Sequence, residues 1–293
     1  MATILDGKLV SGLEIAKLAK ETAEMVKMGW RPPHLSAVLV GDNPASQVYV
    51  NSKIKSCEKA GFRSSVVRFD AQVSENELLK AIDKLNNDPE TDGFIVQLPL
   101  PPHISESKVT MEIDPEKDVD GFHPVNLGKM MLGLPSYIPA TPFGIMKLLE
   151  HYRVETSGKH CVIIGRSNIV GTPMAVLMSR NNAFANCTVT LCHSKTKNIP
   201  DFTRNADIVI AAIGKPRFLK GNMIKEGAVI VDVGINRISD TGTKSGYRLV
   251  GDVDYEEVLP LSSFITPVPG GVGLMTIAGL LGNTMLSAKK RAI

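Results

Sequence analysis

The sequence predicts an α/β protein, because short apolar runs rich in β-branched residues alternate with helical stretches along most of its 293 residues. Near-continuous apolar strands separated by helices are typical of parallel sheets that are covered on both faces. The runs are HLSAVLVG (34–41), SSVVRF (64–69), GFIVQLPL (93–100), HCVIIG (160–165), TVTLCHS (188–194), ADIVIAAIG (206–214) and GAVIVDVGIN (227–236). The length suggests two domains.

Composition excludes several classes of protein. With 43% apolar and 22% charged residues, the chain has ample material for a core, and its net charge of +3 is spread without a run suited to nucleic acid or a membrane surface. The four cysteines lack metal-binding spacing, so we expect reduced thiols and no metal. No apolar run approaches the roughly 20 residues of a membrane span, and no signal peptide is visible, which predicts a cytoplasmic protein.

Capping residues predict two helices. Asn43 is a good N-cap before Pro44, and Gly61 occupies the position of a C-terminal glycine. Ser74 and Glu77 form the pattern of a capping box before a second helix.

Two stretches between the regular elements predict junctions. Residues 101–142 are rich in proline, glycine and polar residues, and we interpret them as an active-site loop region that leads to a domain junction. A second junction is expected in TPVPGGVG (266–273), before a last helix LMTIAGLLGNTMLSAKKR that packs back on the body.

A nucleotide site is suggested where HCVIIG runs into RSNIVGTPM. Gly165 and Gly171 do not form the GxGxxG fingerprint, and a glycine after a strand is also consistent with an ordinary turn. The next strand is followed by HSKT, which lacks the carboxylate that NAD-binding proteins use for the ribose hydroxyl. Ser194 and Arg166 supply hydroxyl and cationic donors there, so NADP is favoured over NAD, unless HSKT is only a solvated strand end.

Two further strand ends are expected to line the same crevice, because ligands of open α/β sheets bind at the carboxyl ends of strands. They carry Gly214 and the pair Gly234 and Ile235. These glycines allow close approach of a flat cofactor, or they are ordinary turn residues.

Tyr49 and Lys53 are the first candidates for chemistry. At a spacing of four they lie on one face of the predicted helix. The alternative is a lysine stem that lies across an aromatic ring at the edge of the core. Short-chain dehydrogenases also use YxxxK, but there the motif follows the nucleotide-binding turn, whereas here it precedes that turn by over a hundred residues.

Gln97 and Asp120 are the other candidates. Gln97 interrupts the otherwise apolar strand FIVQLPL, so its amide needs a hydrogen-bond partner near the strand end. Asp120 precedes a glycine in EKDVDGF, where an aspartate is usually a turn residue. A structural amide and a turn aspartate remain the alternatives.

Seven motifs occur in one order along the chain. They are YVNSK, VQLPLP, PEKDVDGF, GRSNIVGTP, CHSKT, DVGIN and TPVPGGVG. Together they resemble the bifunctional methylenetetrahydrofolate dehydrogenase/methenyltetrahydrofolate cyclohydrolase family, and the likeness extends from end to end. It implies NADP-dependent oxidation of 5,10-methylenetetrahydrofolate to 5,10-methenyltetrahydrofolate, followed by hydrolysis to 10-formyltetrahydrofolate.

The resemblance also implies an architecture. A folate-binding α/β catalytic domain (1–142) would be completed by the C-terminal helix (275–293), a Rossmann-like NADP-binding domain (143–274) would lie between them in sequence, and the substrate would bind in the cleft. A homodimer is implied as well. A catalytically inactive nucleotide-binding regulatory protein of the same fold is the alternative, against which the intact set of candidate residues argues.

The family roles transfer to positions that match its motifs. Tyr49 would stack on the aminobenzoyl group, Lys53 would be the acid/base, Gln97 would hold that lysine, and Asp120 would bind the pterin. Further substrate positions are Val96, Leu98, Pro267, Pro269, Gly270 and Gly271. The cofactor positions are Gly165, Arg166, Ser167, Ser194, Gly214, Gly234 and Ile235.

The chain departs from the family pattern at Leu274, where a proline is usual, and this puts the rigidity of the preceding loop in doubt. The Leu98-Pro99 and Val268-Pro269 bonds are candidates for cis peptides, because cis proline occurs at tight turns near functional sites.

Overall fold

A computed structural model describes residues 2–243 and 246–291. The chain forms two compact units. The large-sheet unit contains the residues up to Ser11 together with Thr141–Thr276, and the small-sheet unit contains Gly12–Ala140 with the segment that starts at Ile277.

The described residues form ten α-helices and eleven strands. The helices are α1 Gly7–Lys27, α2 Pro44–Ala60, α3 Glu75–Asn87, α4 Glu106–Glu112, α5 Pro124–Leu132, α6 Ala140–His151, α7 Gly171–Ser179, α8 Ile199–Thr203, α9 Tyr255–Val258 and α10 Val272–Arg291. The strands are β1 Thr3–Ile4, β2 His34–Val40, β3 Arg63–Phe69, β4 Gly93–Val96, β5 His160–Ile164, β6 Thr188–Cys192, β7 Ile208–Ala211, β8 Ala228–Asp232, β9 Asn236–Ser239, β10 Tyr247–Val250 and β11 Ser262–Ile265.

The small-sheet unit is built on a parallel sheet of order β3-β2-β4. Successive side chains of the central strand β2 point to opposite faces. Leu35 and Leu39 join the apolar cluster on one face, whereas Val38 and Val40 join the cluster on the other. Both faces are therefore buried, as the apolar sequence of this strand predicts.

The helix ends predicted from the sequence are confirmed. The Asn43 side chain accepts a hydrogen bond from the backbone N–H of Ala45 (2.9 Å) at the start of α2, and Gly61 ends that helix in the left-handed conformation. The capping box of Ser74 and Glu77 is present at the start of α3.

The last helix, α10, packs into the small-sheet unit, as the predicted fold class requires. From Ile277 onward its apolar side chains join the cluster that also contains residues of β2 and α2, whereas Val272 and Met275 join a cluster of the large-sheet unit. The amide of Asn283 donates to the carbonyls of Val119 (2.8 Å) and Ile138 (2.9 Å), and the hydroxyl of Ser287 donates to the carbonyl of Asp92 (2.6 Å). Asn283 thereby fixes the backbone next to Asp120.

The large-sheet unit contains a parallel sheet of order β1-β11-β8-β7-β5-β6. Along β5, Cys161 and Ile163 join the cluster on one face, and Val162 and Ile164 join the cluster on the other. Strand β6 lies on one side of β5, and the next strand along the chain, β7, lies on the other side of β5. The strand order thus reverses between β5 and β7, which is where open α/β sheets bind their ligands.

Several features differ from the sequence-based expectations. The stretch 101–142 is not a continuous loop region, because it contains α4, α5 and the start of α6. Strands β1 and β11 and the antiparallel hairpin β9–β10 were not predicted. Residues 2–11, assigned from the sequence to the catalytic domain, lie in the large-sheet unit, where β1 pairs with β11.

The predicted cis peptides are both present, at Leu98-Pro99 and Val268-Pro269. Among the described residues, no helix has the combination of length and apolar content that a bilayer crossing requires.

Replacing Asn283 tests how the C-terminal helix is held. We expect Asn283→Ala to lower the free energy of unfolding by about 2–4 kcal/mol, because two buried carbonyls lose their donor. Urea unfolding followed by circular dichroism measures the change. Asn87→Ala is the matched control, since that exposed amide bonds only to Asp83 of its own helix. Equal losses of stability in the two variants would contradict the role of Asn283 in holding the C-terminal helix.

Candidate active site

Helix α2 carries the first two candidate residues on one face. Tyr49 is 41% exposed, and Lys53, one turn later, is partly buried. The buried side of the same helix carries Val50 and Cys57, which are fully enclosed in the core of the small-sheet unit. The helix therefore holds Lys53 at the boundary between core and surface, while leaving the ring of Tyr49 accessible.

Gln97 is the residue that meets Lys53. It follows β4 directly, and its backbone N–H donates to the carbonyl of Val38 (2.9 Å), which extends the sheet pairing by one residue. Its side-chain N–H donates to the carbonyl of Leu98 (2.8 Å), so the amide oxygen faces the lysine and accepts from Lys53 Nζ at 3.1 Å. The partner that the amide was predicted to need is thus the candidate lysine.

Asp120 lies in the segment that runs beside β4, where Phe94 and Asp118 form an isolated parallel bridge. The carboxylate of Asp118 accepts from the backbone N–H groups of Phe122 (3.2 Å) and His123 (2.8 Å), so it shapes the turn around Asp120. Burial raises the pKa of Asp118 to about 6, although these hydrogen bonds oppose the shift. Asp118 is therefore a structural aspartate, whereas Asp120 is only partly buried.

Lys53 and Asp120 interact electrostatically. Burial lowers the pKa of Lys53, and the charge of Asp120 partly offsets that shift. Burial likewise raises the pKa of Asp120, against the opposing charge of Lys53. Both shifts move the two groups toward their neutral forms, which is the condition that acid/base chemistry near neutral pH requires.

A small recess with a cavity volume of about 20 Å³ lies beside Asp120 within the small-sheet unit. Its wall is mainly apolar, and Asp120 is one of two carboxylates on it. The other lining residues are Phe94, Ile95, Val96, Leu98, Val109, Thr110, Ile113, Asp118 and Phe122.

In the large-sheet unit, the first candidates follow β5. Gly165 has a φ of 128°, and an added Cβ would overlap with the carbonyl of Ala212 at the end of β7, so only glycine fits at this point of strand-order reversal. The side chain of Arg166 is exposed, and the hydroxyl of Ser167 accepts from the N–H of Val170 (3.1 Å) just before α7.

The remaining candidates in this unit follow other strands at the same edge. Ser194 is exposed after β6, Gly214 follows β7, and Gly234 and Ile235 follow β8, with Ile235 42% exposed. Pro267, Pro269, Gly270 and Gly271 follow β11. The structure therefore brings every candidate of this unit to the carboxyl edge of one sheet.

Leu274 keeps the end of that last loop ordered by a hydrogen bond. Its N–H donates to the carbonyl of Gly271 (3.3 Å) in the first turn of α10. A proline at this position has no N–H to donate. Leu274 therefore makes a backbone hydrogen bond that a proline at this position would not make.

Three polar residues of the large-sheet unit were not singled out from the sequence. Asp232 and Asp252 are almost fully buried, and Asn236 lies next to the exposed Ile235. Burial raises the pKa of Asp232 to about 7, although three backbone N–H bonds favour its ionised form. An available signal was Asp232 itself, which ends the apolar run AVIVD and therefore needs partners, as Gln97 does.

No group of three or more histidine, cysteine, aspartate or glutamate side chains suited to a metal occurs in residues 2–243 and 246–291.

Two family models match the chain. Residues 5–120 match "Tetrahydrofolate dehydrogenase/cyclohydrolase, catalytic domain", and residues 139–292 match "Tetrahydrofolate dehydrogenase/cyclohydrolase, NAD(P)-binding domain". The predicted nucleotide-binding domain is therefore confirmed.

Relatives match over nearly the whole length. The "Bifunctional protein FolD" of Bacteroides fragilis is 55% identical over 98% of both chains, and that of Flavobacterium johnsoniae is 56% identical over 99% of this chain and 98% of its own. The bifunctional FolD methylenetetrahydrofolate dehydrogenase/cyclohydrolase of Campylobacter jejuni superposes with a TM-score of 0.93 at 48% identity, covering 99% of this chain and 100% of its own.

The dehydrogenase-cyclohydrolase of Trypanosoma brucei, solved with NADP cofactor and an inhibitor, also gives a TM-score of 0.93, at 38% identity and with 99% of this chain and 98% of its own covered. Family models and relatives thus agree with the fold and with the seven motifs, and the chain is an enzyme that belongs to the tetrahydrofolate dehydrogenase/cyclohydrolase family.

Proposed function

We propose that this enzyme oxidises 5,10-methylenetetrahydrofolate with NADP⁺ and then hydrolyses the 5,10-methenyl product to 10-formyltetrahydrofolate. The observation that carries the proposal is the hydrogen bond of 3.1 Å from Lys53 Nζ to Gln97 Oε1, beside the carboxylate of Asp120. The titration of both charged groups is shifted toward neutrality by burial.

The second reaction needs a base and then a proton donor. Water adds to the methenyl carbon, the bond from that carbon to N5 breaks, and N5 takes up a proton. Lys53 fits both roles, because a lysine with a lowered pKa is neutral more often than an exposed lysine and can return the proton it accepts. Gln97 Oε1 holds the amine in place, and the cationic substrate lowers its pKa further.

Asp120 and Tyr49 suit the two ends of a folate. The amino-pyrimidinone edge of a pterin offers adjacent N–H donors, which one carboxylate accepts in a bidentate manner. The side chains around Asp120 are mainly apolar. The exposed ring of Tyr49, one turn from Lys53, is available to stack on the aminobenzoyl group.

The carboxyl edge of the large sheet suits NADP. Gly165 lets the backbone turn tightly at the point of strand-order reversal, and the loop after β6 carries no carboxylate to repel a 2′-phosphate. Ser194 and Lys195 are exposed in that loop, and Arg166 is exposed after β5. When bound, NADP⁺ supplies the hydride acceptor for the first reaction.

One assay separates this proposal from an inactive nucleotide-binding protein of the same fold. Formation of methenyltetrahydrofolate with NADP⁺, followed by its decay, is recorded in a spectrophotometer. Nucleotide binding without turnover would favour the inactive protein.

A homodimer is part of the proposal, and sedimentation at twice the mass of the chain is the expected result.

Removing the amine of Lys53 tests the hydrolytic step. We expect Lys53→Met to lower the rate of methenyltetrahydrofolate hydrolysis by about 10²–10⁴-fold, because the base is lost. Lys55→Met is the matched control, since Lys55 is an exposed lysine of the same helix. A near-normal rate in Lys53→Met would remove this residue from the mechanism.

The pH dependence of hydrolysis provides a second test. Because burial lowers the pKa of Lys53, the catalytic neutral amine should appear as pH rises through a midpoint below 10.5, the ordinary value. Asp120→Asn removes a charge that raises this pKa, so the midpoint should move to lower pH. Rates at saturating substrate, corrected for spontaneous hydrolysis, measure both midpoints. An unchanged midpoint in Asp120→Asn would exclude this coupling.

Cofactor choice is tested at Arg166. We expect Arg166→Ala to raise the KM for NADP⁺ about tenfold, the effect of losing a charge-assisted hydrogen bond, and to leave the KM for NAD⁺ nearly unchanged. Initial dehydrogenase rates with each nucleotide give the ratio. Lys197→Ala, another exposed cation of this unit, is the control. Parallel increases for both nucleotides would show that Arg166 does not contact the 2′-phosphate.

A further inference from the structure

Asp252 connects the ends of two neighbouring strands in the large-sheet unit. Its Oδ2 accepts from the backbone N–H groups of Ile213 (2.7 Å) and Gly214 (2.8 Å), which follow β7. Its Oδ1 accepts from the side-chain amide of Asn236 (2.9 Å), the first residue of β9, in the segment after β8. One fully buried carboxylate thus joins the β7 loop to the segment that contains Ile235.

The position of Asp252 is itself fixed by a second carboxylate. Asp232, the last residue of β8, accepts from the N–H groups of Asp252 (2.9 Å) and Val253 (3.0 Å). It also accepts from the N–H of Gly234 (2.9 Å), and a Cβ at Gly234 would overlap with the carboxylate of Asp252. The close contact between Gly234 and Asp252 leaves little room for the segment after β8 to move independently of the segment that contains Asp252.

We propose that Asp252 is a positioning residue for NADP, which acts by holding the backbone at Gly214 and, through Asn236, the side chain of Ile235. This inference rests on the proposed function, because Gly214 and Ile235 are the cofactor positions concerned. Asp252 itself is fully buried and acts through the loops.

The carboxylate is needed for this role because all of its partners are donors. In Asp252→Asn, the single amide oxygen can accept either from the β7 loop or from Asn236. The NH₂ group then faces an N–H donor of the other partner. Either the β7 loop or Asn236 loses its bond. The strands themselves keep their ladder bonds and their apolar clusters, so the damage should stay at the carboxyl edge of the sheet.

Asp207 offers a matched control within the same sheet. It precedes β7 at the opposite edge, where its carboxylate accepts from the backbone N–H of His160 (2.8 Å) and from Lys225. It therefore resembles Asp252 in bonding but lies away from the proposed cofactor loops. Asp207→Asn should lower thermal stability without weakening nucleotide binding.

The experiment titrates NADP⁺ into the full-length wild type, Asp252→Asn and Asp207→Asn by calorimetry, and measures nucleotide-free cyclohydrolase activity in each. We expect the Kd for NADP⁺ to rise about tenfold in Asp252→Asn only, the effect expected for a lost hydrogen bond to a charged group. Cyclohydrolase activity should stay within about twofold, because no residue proposed for that step depends on Asp252.

Several results would overturn the inference. They are an unchanged Kd in Asp252→Asn, an equal rise of Kd in Asp207→Asn, or a parallel loss of hydrolysis that indicates general damage. If Asp252→Asn does not fold, Asn236→Ala replaces it, with an expected rise of about threefold, and an unchanged Kd there has the same meaning. If the wild type binds NADP⁺ but converts no folate, the proposed function fails while the calorimetric comparison still decides this inference.

Discussion

Parallel strand pairing is the constraint on which the rest of this structure depends. Because every strand of the two larger sheets runs in the same direction within its sheet, all carboxyl ends of a sheet meet at one edge. Within the large sheet, Gly165 follows β5 and Ser194 follows β6, so residues far apart in sequence lie at the same edge. Parallel strands also require helical connections, and one of these, α2, brings Lys53 to the edge of the small sheet.

Burial of polar groups at these edges serves two purposes. Burial lowers the pKa of Lys53 and raises the pKa of Asp120, because the attraction between the two charges offsets the effect of burial only in part. Around Asp252, burial is compensated by donors on every side, and the result is a fixed backbone. Buried polar groups thus have a shifted pKa in one unit and join neighbouring backbone segments in the other.

The sequence predicted the elements whose signal is local. The helix with Asn43 and Gly61 at its ends, and the apolar strands of both sheets, are confirmed because caps and continuous apolar runs act within a few residues. Strands β1 and β11 were missed because β1 has only two residues and β11 begins with two serines, and each exists mainly through its neighbour in the sheet.

The candidate site follows the same rule. Gln97 was found because an amide interrupts an apolar strand, and the resemblance to a family added roles that spacing could not supply. Asp252 was overlooked, since Gly-Asp-Val resembles an ordinary turn until its partners from residues 213, 214 and 236 are seen. Long-range hydrogen bonds of this kind leave no periodic trace in the sequence.

The C-terminal helix has a consequence for biosynthesis. The core of the small-sheet unit includes Leu35 and Val50 from early in the chain, but also Leu280 and Leu281 from α10. Translation proceeds at roughly 5–20 residues per second, so the small-sheet unit waits on the order of 10 s for its last helix, while Thr141–Thr276 are made. Until then, the part of its apolar core that α10 covers is exposed to solvent.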